Sequence, residues 1–169
     1  DLDMKRFEHK LPYEVEGHGV FNGKVGGTIS RPIFRGTLKA DVITMNGVQL
    51  RDIHSFVHYE NGIIEMQKTG FRQGEEGRVS AALHYDIQTR GLRGSMDMEN
   101  MDVAALLALA NQSENRIAGR MTSAVQLGGT LDNPSIALTG EIAEGAFASY
   151  PLSDVALDME LADRVLTLR

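Results

Sequence analysis

Gly26-Gly27-Thr28-Ile29-Ser30-Arg31-Pro32 decides how this chain is read, because it returns 102 positions later as Gly128-Gly129-Thr130-Leu131-Asp132-Asn133-Pro134. The same offset pairs Leu50-Arg51-Asp52-Ile53 with Leu152-Ser153-Asp154-Val155, and Gly17 with Gly119. Between the proline and the Leu-x-Asp marks, the match carries through if a gap of about two residues opens and closes again. Repetition of this kind precedes every other inference about fold. It divides the 169 residues into one unit, 1–102, and part of a second, 103–169.

Outside these marks the chain alternates at period two. Val15, Gly17, Gly19, Phe21, Gly23 and Val25 share one side; Ile117, Met121, Val125 and Leu127 repeat it against Arg120, Thr122 and Gln126. Val57 and Tyr59 alternate with His54, His58 and Glu60, and Val155, Leu157, Met159 and Leu161 alternate with Asp158 and Glu160. Leu83 belongs to a run with Val79, Ala81 and Tyr85. Asn46-Gly47 and Asn61-Gly62 are tight-turn dipeptides. Two stretches read as helix. Leu2 to His9 has a weak apolar side, and Asp102 to Ala110 opens on a good N-cap and carries Val103, Leu106, Leu107 and Ala110 at helical spacing. One apolar face per strand predicts antiparallel sheet with its other side in water. A bulge at Gly27-Thr28 and again at Gly129-Thr130 would bend every unit at the same place. The expectation is an all-β fold with short helices: an elongated, curled antiparallel sheet built from repeats of about 100 residues.

Composition narrows the chemistry. The formal charge is −6, and Lys and Arg are scattered singly, so no nucleic-acid footprint is present. The absence of cysteine removes disulfides, thiolate ligands and thiol nucleophiles. No apolar run is long enough for a spanning helix, and the start, Asp-Leu-Asp, carries no signal peptide. The chain reads as an interior piece of something longer. His54 and His58 lie about 13 Å apart along one strand side, too far for one metal ion. Asp52 and Asp154 recur one per unit, which suits a turn role with the carboxylate accepting backbone N–H groups. The glycines match neither a phosphate loop nor a nucleophile elbow. No catalytic residue, cofactor or metal is expected, and the chain is not read as an enzyme. What remains is the apolar side of the strands, whose Leu, Ile, Val and Met side chains suit flexible acyl chains.

Gly-Gly-Thr-x-x-x-Pro, an apolar strand with Gly36 or Gly140, and then Leu-x-Asp-Ile/Val resemble the repeated units of the AsmA-like proteins. The likeness is to the TamB family in particular, whose carboxyl-terminal domain was once called DUF490. Met101-Asp102-Val103-Ala104-Ala105-Leu106-Leu107, then Ile117-Ala118-Gly119-Arg120-Met121 and Leu127 to Pro134, is similar to that family's characteristic run. The resemblance covers essentially all of 1–169, as a fragment of one AsmA/TamB-like domain.

The resemblance implies a sheet folded lengthwise into a U-shaped, apolar-lined groove, a "β-taco". It implies a periplasmic segment of a protein anchored in the inner membrane of a diderm bacterium by a transmembrane helix. The work implied is outer-membrane biogenesis, with phospholipid transport between the two membranes through the groove. Phospholipid acyl chains or an unfolded β-barrel substrate would be the occupants, and an Omp85-type outer-membrane protein the partner of the full-length chain. The groove lining falls on Val57, Tyr59, Leu83, Met121, Val125, Val155, Leu157, Met159 and Leu161. Two alternatives stand beside this reading: a scaffold or chaperone-like platform for assembly and secretion of outer-membrane β-barrel proteins, and a purely structural spacer.

Overall fold

Gly27 and Gly129 close the two hairpins that mark the repetition. Both hold φ at 80°, a left-handed value that side chains resist. A Cβ on Gly27 would run into the Arg31 carbonyl oxygen, and one on Gly129 into that of Asn133. The following threonine completes each turn, with Thr28 Oγ1 accepting from Arg31 N at 3.2 Å and Thr130 Oγ1 from Asn133 N at 3.1 Å. The Gly-Thr pair expected to form a bulge is therefore the entry to a turn.

A computed structural model describes residues 2–3, 14–110, 112, 117–148 and 150–168. Its strands are β1 (Leu2–Asp3), β2 (Val15–Thr28), β3 (Arg31–Met45), β4 (Val48–Glu60), β5 (Ile63–Gln73), β6 (Gly77–Asp86) and β7 (Gly91–Asp102). The helix α1 (Val103–Leu109) follows, then β8 (Ile117–Gly129), β9 (Pro134–Phe147), β10 (Tyr150–Leu152), β11 (Val155–Ala162) and β12 (Val165–Leu168). All belong to one twelve-stranded antiparallel meander, with β10 beside β11 on β9. The helix expected over Leu2 to His9 begins instead as a strand, Leu2–Asp3, laid on β2; its remainder lies outside the described residues. The ladders of β2, β3 and β4 and of β8, β9 and β11 match at a constant offset of 102: Gly27 faces Pro32 as Gly129 faces Pro134, and Phe34 faces Tyr59 as Ile136 faces Leu161. The pairing needs no gap after the proline.

Residues with positive φ inside the strands keep the apolar side continuous. Asp52, Lys68, Asn100 and Glu144 have φ between 49° and 53°, and Asp154, in the bend between β10 and β11, has 53°. Each of the four strand residues stands two positions after one inward residue and one before the next. Met98 and Met101 flank Asn100, and Ile142 and Gly145 flank Glu144; all four are buried. Leu50 is buried and Ile53 half-buried around Asp52. An extra residue in a strand would turn everything beyond it to the opposite face; spending it in the left-handed region, as a bulge does, preserves the facing. Leu-x-Asp-Ile is thus a bulge signature. Asp52 serves through backbone conformation, which Asp and Asn tolerate better than most side chains, and not as a turn carboxylate; Asp154 lies in the bend between β10 and β11.

The core lies where β6 to β9 meet α1. Met101 is fully buried among Val79, Met98, Val103, Met121, Val125 and Ile142. Asp102 caps the helix through Ala105 N at 3.2 Å, while its own N–H donates to the buried Gln73 side chain at 3.0 Å. At the far end Asn46 Nδ2 donates to the Ala108 and Leu109 carbonyls at 3.3 and 3.2 Å, tying α1 to the β3–β4 turn.

The expected curl is not present. The sheet is elongated and open: ladder bonds run from β1 to β12 without joining the two margins, and each strand's extensive contacts go to its ladder neighbours and to α1. The accessible surface of 11422 Å² exceeds the roughly 8200 Å² of a compact chain of 18.5 kDa. Bulges on β4, β5, β7, β8 and β9 are taken up as register shifts between neighbours, so local bends do not sum to a U. Exposed Phe21, Val25, Leu166 and Leu168 at the margins meet no opposing layer.

Gly27→Ala and Gly129→Ala are each expected to lower stability by about 1–2 kcal/mol or more. Gly26→Ala, where a Cβ meets nothing within 4 Å, is expected to leave the urea midpoint in place. Equal midpoints for all three variants would contradict the assigned turn geometry.

Candidate functional site

Ladder partners in antiparallel sheet share a face, so register decides which side chains stand together. Val57, Met66, Leu83, Gly94, Leu127, Ile136 and Leu161 form one row from β4 to β11. At strand spacing this row is about 29 Å long. Tyr59 continues through Ile64 and Tyr85 to Leu92 in the row beside it. Val125 faces Leu138, which faces Met159; Met121 faces Ile142, which faces Val155; and Leu157 faces Gly140. The nine residues singled out in the sequence therefore share one face.

They do not share one depth. Val125 and Met121, 4% and 9% exposed, are sealed in the core beside α1. Val155 and Leu157 are half-buried and pack against that core. Val57, Tyr59, Leu83, Met159 and Leu161 are half-buried and stand apart from it. The Tyr59 ring lies 5.7 Å from that of Phe34 at an interplanar angle of 50°, a tilted contact typical of aromatic pairs. The face thus grades from closed core at the helix end to an uncovered apolar surface at the hairpin end.

The opposite face is charged, and it holds contacts that linear spacing did not reveal. His58 lies between two carboxylates, with Nδ1 3.4 Å from Glu65 Oε2 and Nε2 3.3 Å from Glu60 Oε2. The Nε2 approach is close but off the hydrogen-bond direction, so that buried atom has no hydrogen-bond partner among the described residues. His84 Nδ1 reaches the other Glu65 oxygen at 3.6 Å, and Arg35 reaches Glu60 at 3.5 Å. The signal was present in the Asn61-Gly62 turn: a two-residue hairpin places His58 opposite Glu65. His54 is separate, its Nδ1 3.0 Å from the Asp52 carbonyl oxygen. Among the described residues no group of three His, Cys, Asp or Glu could hold a metal ion. Asp52 stands 3.7 Å from Arg72, an exposed pair worth little in water.

A concavity of about 730 Å³ is lined by polar and charged residues such as Lys39, Asp41 and His54 and by Phe56, together with the inward Ala40 and Ile53. Its lining mixes both charges around one exposed ring, and it does not coincide with the apolar rows. The turn from β6 to β7 is the best-defined polar feature at the hairpin end. Asp86 Oδ1 accepts from Gln88 N at 2.8 Å and Thr89 N at 3.2 Å. The Thr89 hydroxyl, then the Thr89 and Gln88 N–H groups, hold the Asp86 carboxyl below its ordinary range.

Comparison of the chain with protein-family models, curated proteins and solved structures gives no match.

A depressed carboxyl contributes stability that is complete above its unfolded-state pKa and is lost as pH falls through the folded value. Asp86→Ala is therefore expected to lower the urea midpoint at neutral pH, with the difference shrinking once pH drops below about 3.9, the free Asp value. A difference that stayed constant into acid would contradict the assigned turn bonds.

Proposed function

We propose that this chain is a lipid-handling segment, whose apolar sheet face receives phospholipid acyl chains along its length. The observation that supports this most is the uncovered part of that face: Val57, Leu83 and Leu161 in one row, with Tyr59 and Met159 in flanking rows. Leu, Ile, Val and Met side chains offer an acyl chain dispersion and desolvation without a shaped polar pocket. Each methylene transferred from water to this face contributes about 0.8 kcal/mol. A carrier of this kind needs no cofactor and makes no bond, so a non-enzymatic role accompanies the reading.

The resemblance of the Gly-Gly-Thr-x-x-x-Pro and Leu-x-Asp-Ile/Val marks to AsmA-like and TamB repeats extends the proposal to context. In that context the chain is a periplasmic piece of an inner-membrane-anchored protein of a diderm bacterium, acting in lipid transport to the outer membrane. Its two stretches related by 102 residues are then a repeat unit and part of the next. A platform for β-barrel proteins, working with an Omp85-type partner, is the second reading. The exposed strand β12, with Val165, Leu166 and Leu168 and no charge or proline among Val165–Leu168, favours it, since such a strand offers its backbone for pairing.

Native mass spectrometry of the chain purified from bacterial cells, with a lipid extract of the same sample, tests the first reading. Co-purified phospholipid is expected, and Leu83→Asp with Met159→Asp is expected to abolish it while a cooperative urea transition persists. A folded chain that neither carries phospholipid nor takes up added phospholipid would refute the lipid reading.

A further inference from the structure

Five hairpin turns lie along one end of the sheet: β2–β3, β4–β5, β6–β7, β8–β9 and β11–β12. Three of them place a large aliphatic side chain in water at or near the tip. Ile29 is 104% exposed, Leu131 50% and Ile87 46%. A turn that only reverses the chain favours Gly, Asn, Asp, Ser and Pro, and the other two tips, Asn61-Gly62 and Asp163-Arg164, keep to polar or small residues. The three aliphatic tips bury little for the fold.

Two of them are held by neighbouring turns, Ile87 through its N–H to the Gly62 carbonyl at 2.9 Å and Leu131 through the β6–β7 turn, while the Ile29 turn is braced by its own Thr28. Leu131 N donates to the Arg90 carbonyl at 3.1 Å, and the Arg90 guanidinium meets Asp132 at 2.8 Å. Thr130 pairs with Gly91, and Asn133 Nδ2 donates to Asp163 at 3.0 Å. The turns from β4–β5 to β11–β12 therefore form a pre-organised rim, which reduces the ordering cost of any contact they make. Arg31 and Arg164 stand beside them, exposed, while the Arg90 guanidinium is held by Asp132. Aliphatic tips interleaved with guanidinium groups match the boundary between acyl chains and phosphate headgroups, where an Arg stem lies in the apolar layer and its head stays with phosphate.

We propose that this rim docks on a phospholipid bilayer surface, with Ile29, Ile87 and Leu131 entering the headgroup–acyl boundary. The spacing favours a bilayer over a protein partner. The aliphatic tips are spread over about 29 Å at strand spacing, as separate points, whereas a stable protein interface needs about 800 Å² of continuous contact on each side. A fluid boundary accepts separate insertions. The inference deepens the lipid reading above by naming where the chain meets its lipid source.

Flotation of the full chain with phosphatidylethanolamine–phosphatidylglycerol vesicles tests it. The unaltered chain is expected to float. Ile29→Ser, Ile87→Ser and Leu131→Ser, each with an unchanged urea midpoint, are expected to weaken vesicle partitioning by about tenfold apiece. Because the chain has no tryptophan, Ile29→Trp adds a single reporter whose emission should shift to the blue on vesicles, while Ala82→Trp, on the charged face, should not shift. The two lipid claims separate: Leu83→Asp with Met159→Asp should lose co-purified lipid and still float, whereas the triple serine variant should retain co-purified lipid and not float. Absence of flotation, flotation unaffected by the triple variant, or a rim-dependent dimer in sedimentation that replaces vesicle binding would overturn the proposal.

Discussion

Left-handed residues set inside the strands are the constraint on which this sheet depends. Strand side chains alternate, so a long strand of irregular sequence would lose its facing at the first extra residue. Asp52, Lys68, Asn100 and Glu144 take up that residue at positive φ, and the apolar series resumes on the same side. Without them Met98 and Met101 could not both point into the core. The continuous face, the seating of α1 on it and the rows from β4 to β11 all follow from this local device.

Long strands with one apolar face leave a covering problem, which the chain solves at one end only. The seven-residue helix α1, held by Asp102, Gln73 and Asn46, closes the face over Met101, Met121 and Val125. Beyond its reach the face has no second layer among the described residues, in keeping with the large accessible surface. This half-buried apolar surface is what the proposed lipid reading rests on. The charged face is bound by cross-strand contacts such as His58 to Glu65 and His84 to Glu65, so the two sides of one sheet have opposite chemistry.

The sequence made strands, hairpins and the face of most apolar residues legible, because period two and Gly-containing turns are local signals; Val42, which alternation groups with Leu38 and Ala40, instead faces Arg51 on the other side. The helix after Asp102 was equally plain from its cap and stripe. Asp52 was located by repetition but given the wrong task, since a carboxylate in a turn and an Asp at positive φ leave the same trace. Curvature was misjudged for a related reason. A bulge announces itself in one strand, but whether its bend adds to its neighbours' depends on register across the ladder, which no single strand encodes. The pairing of His58 and His84 around Glu65 was hidden likewise, as it needs two hairpin registers at once.

The central claim is that the apolar face is continuous and uncovered away from α1. The chain has no cysteine, so single cysteines placed at Val57, Leu83, Met159 and Val125 can be followed by their rate of reaction with an apolar maleimide in the folded protein. The account predicts ready labelling at the first three positions, slowed by added phospholipid, and protection at Val125 beneath the helix end. Protection at all four positions without lipid, as in a filled core, would contradict it.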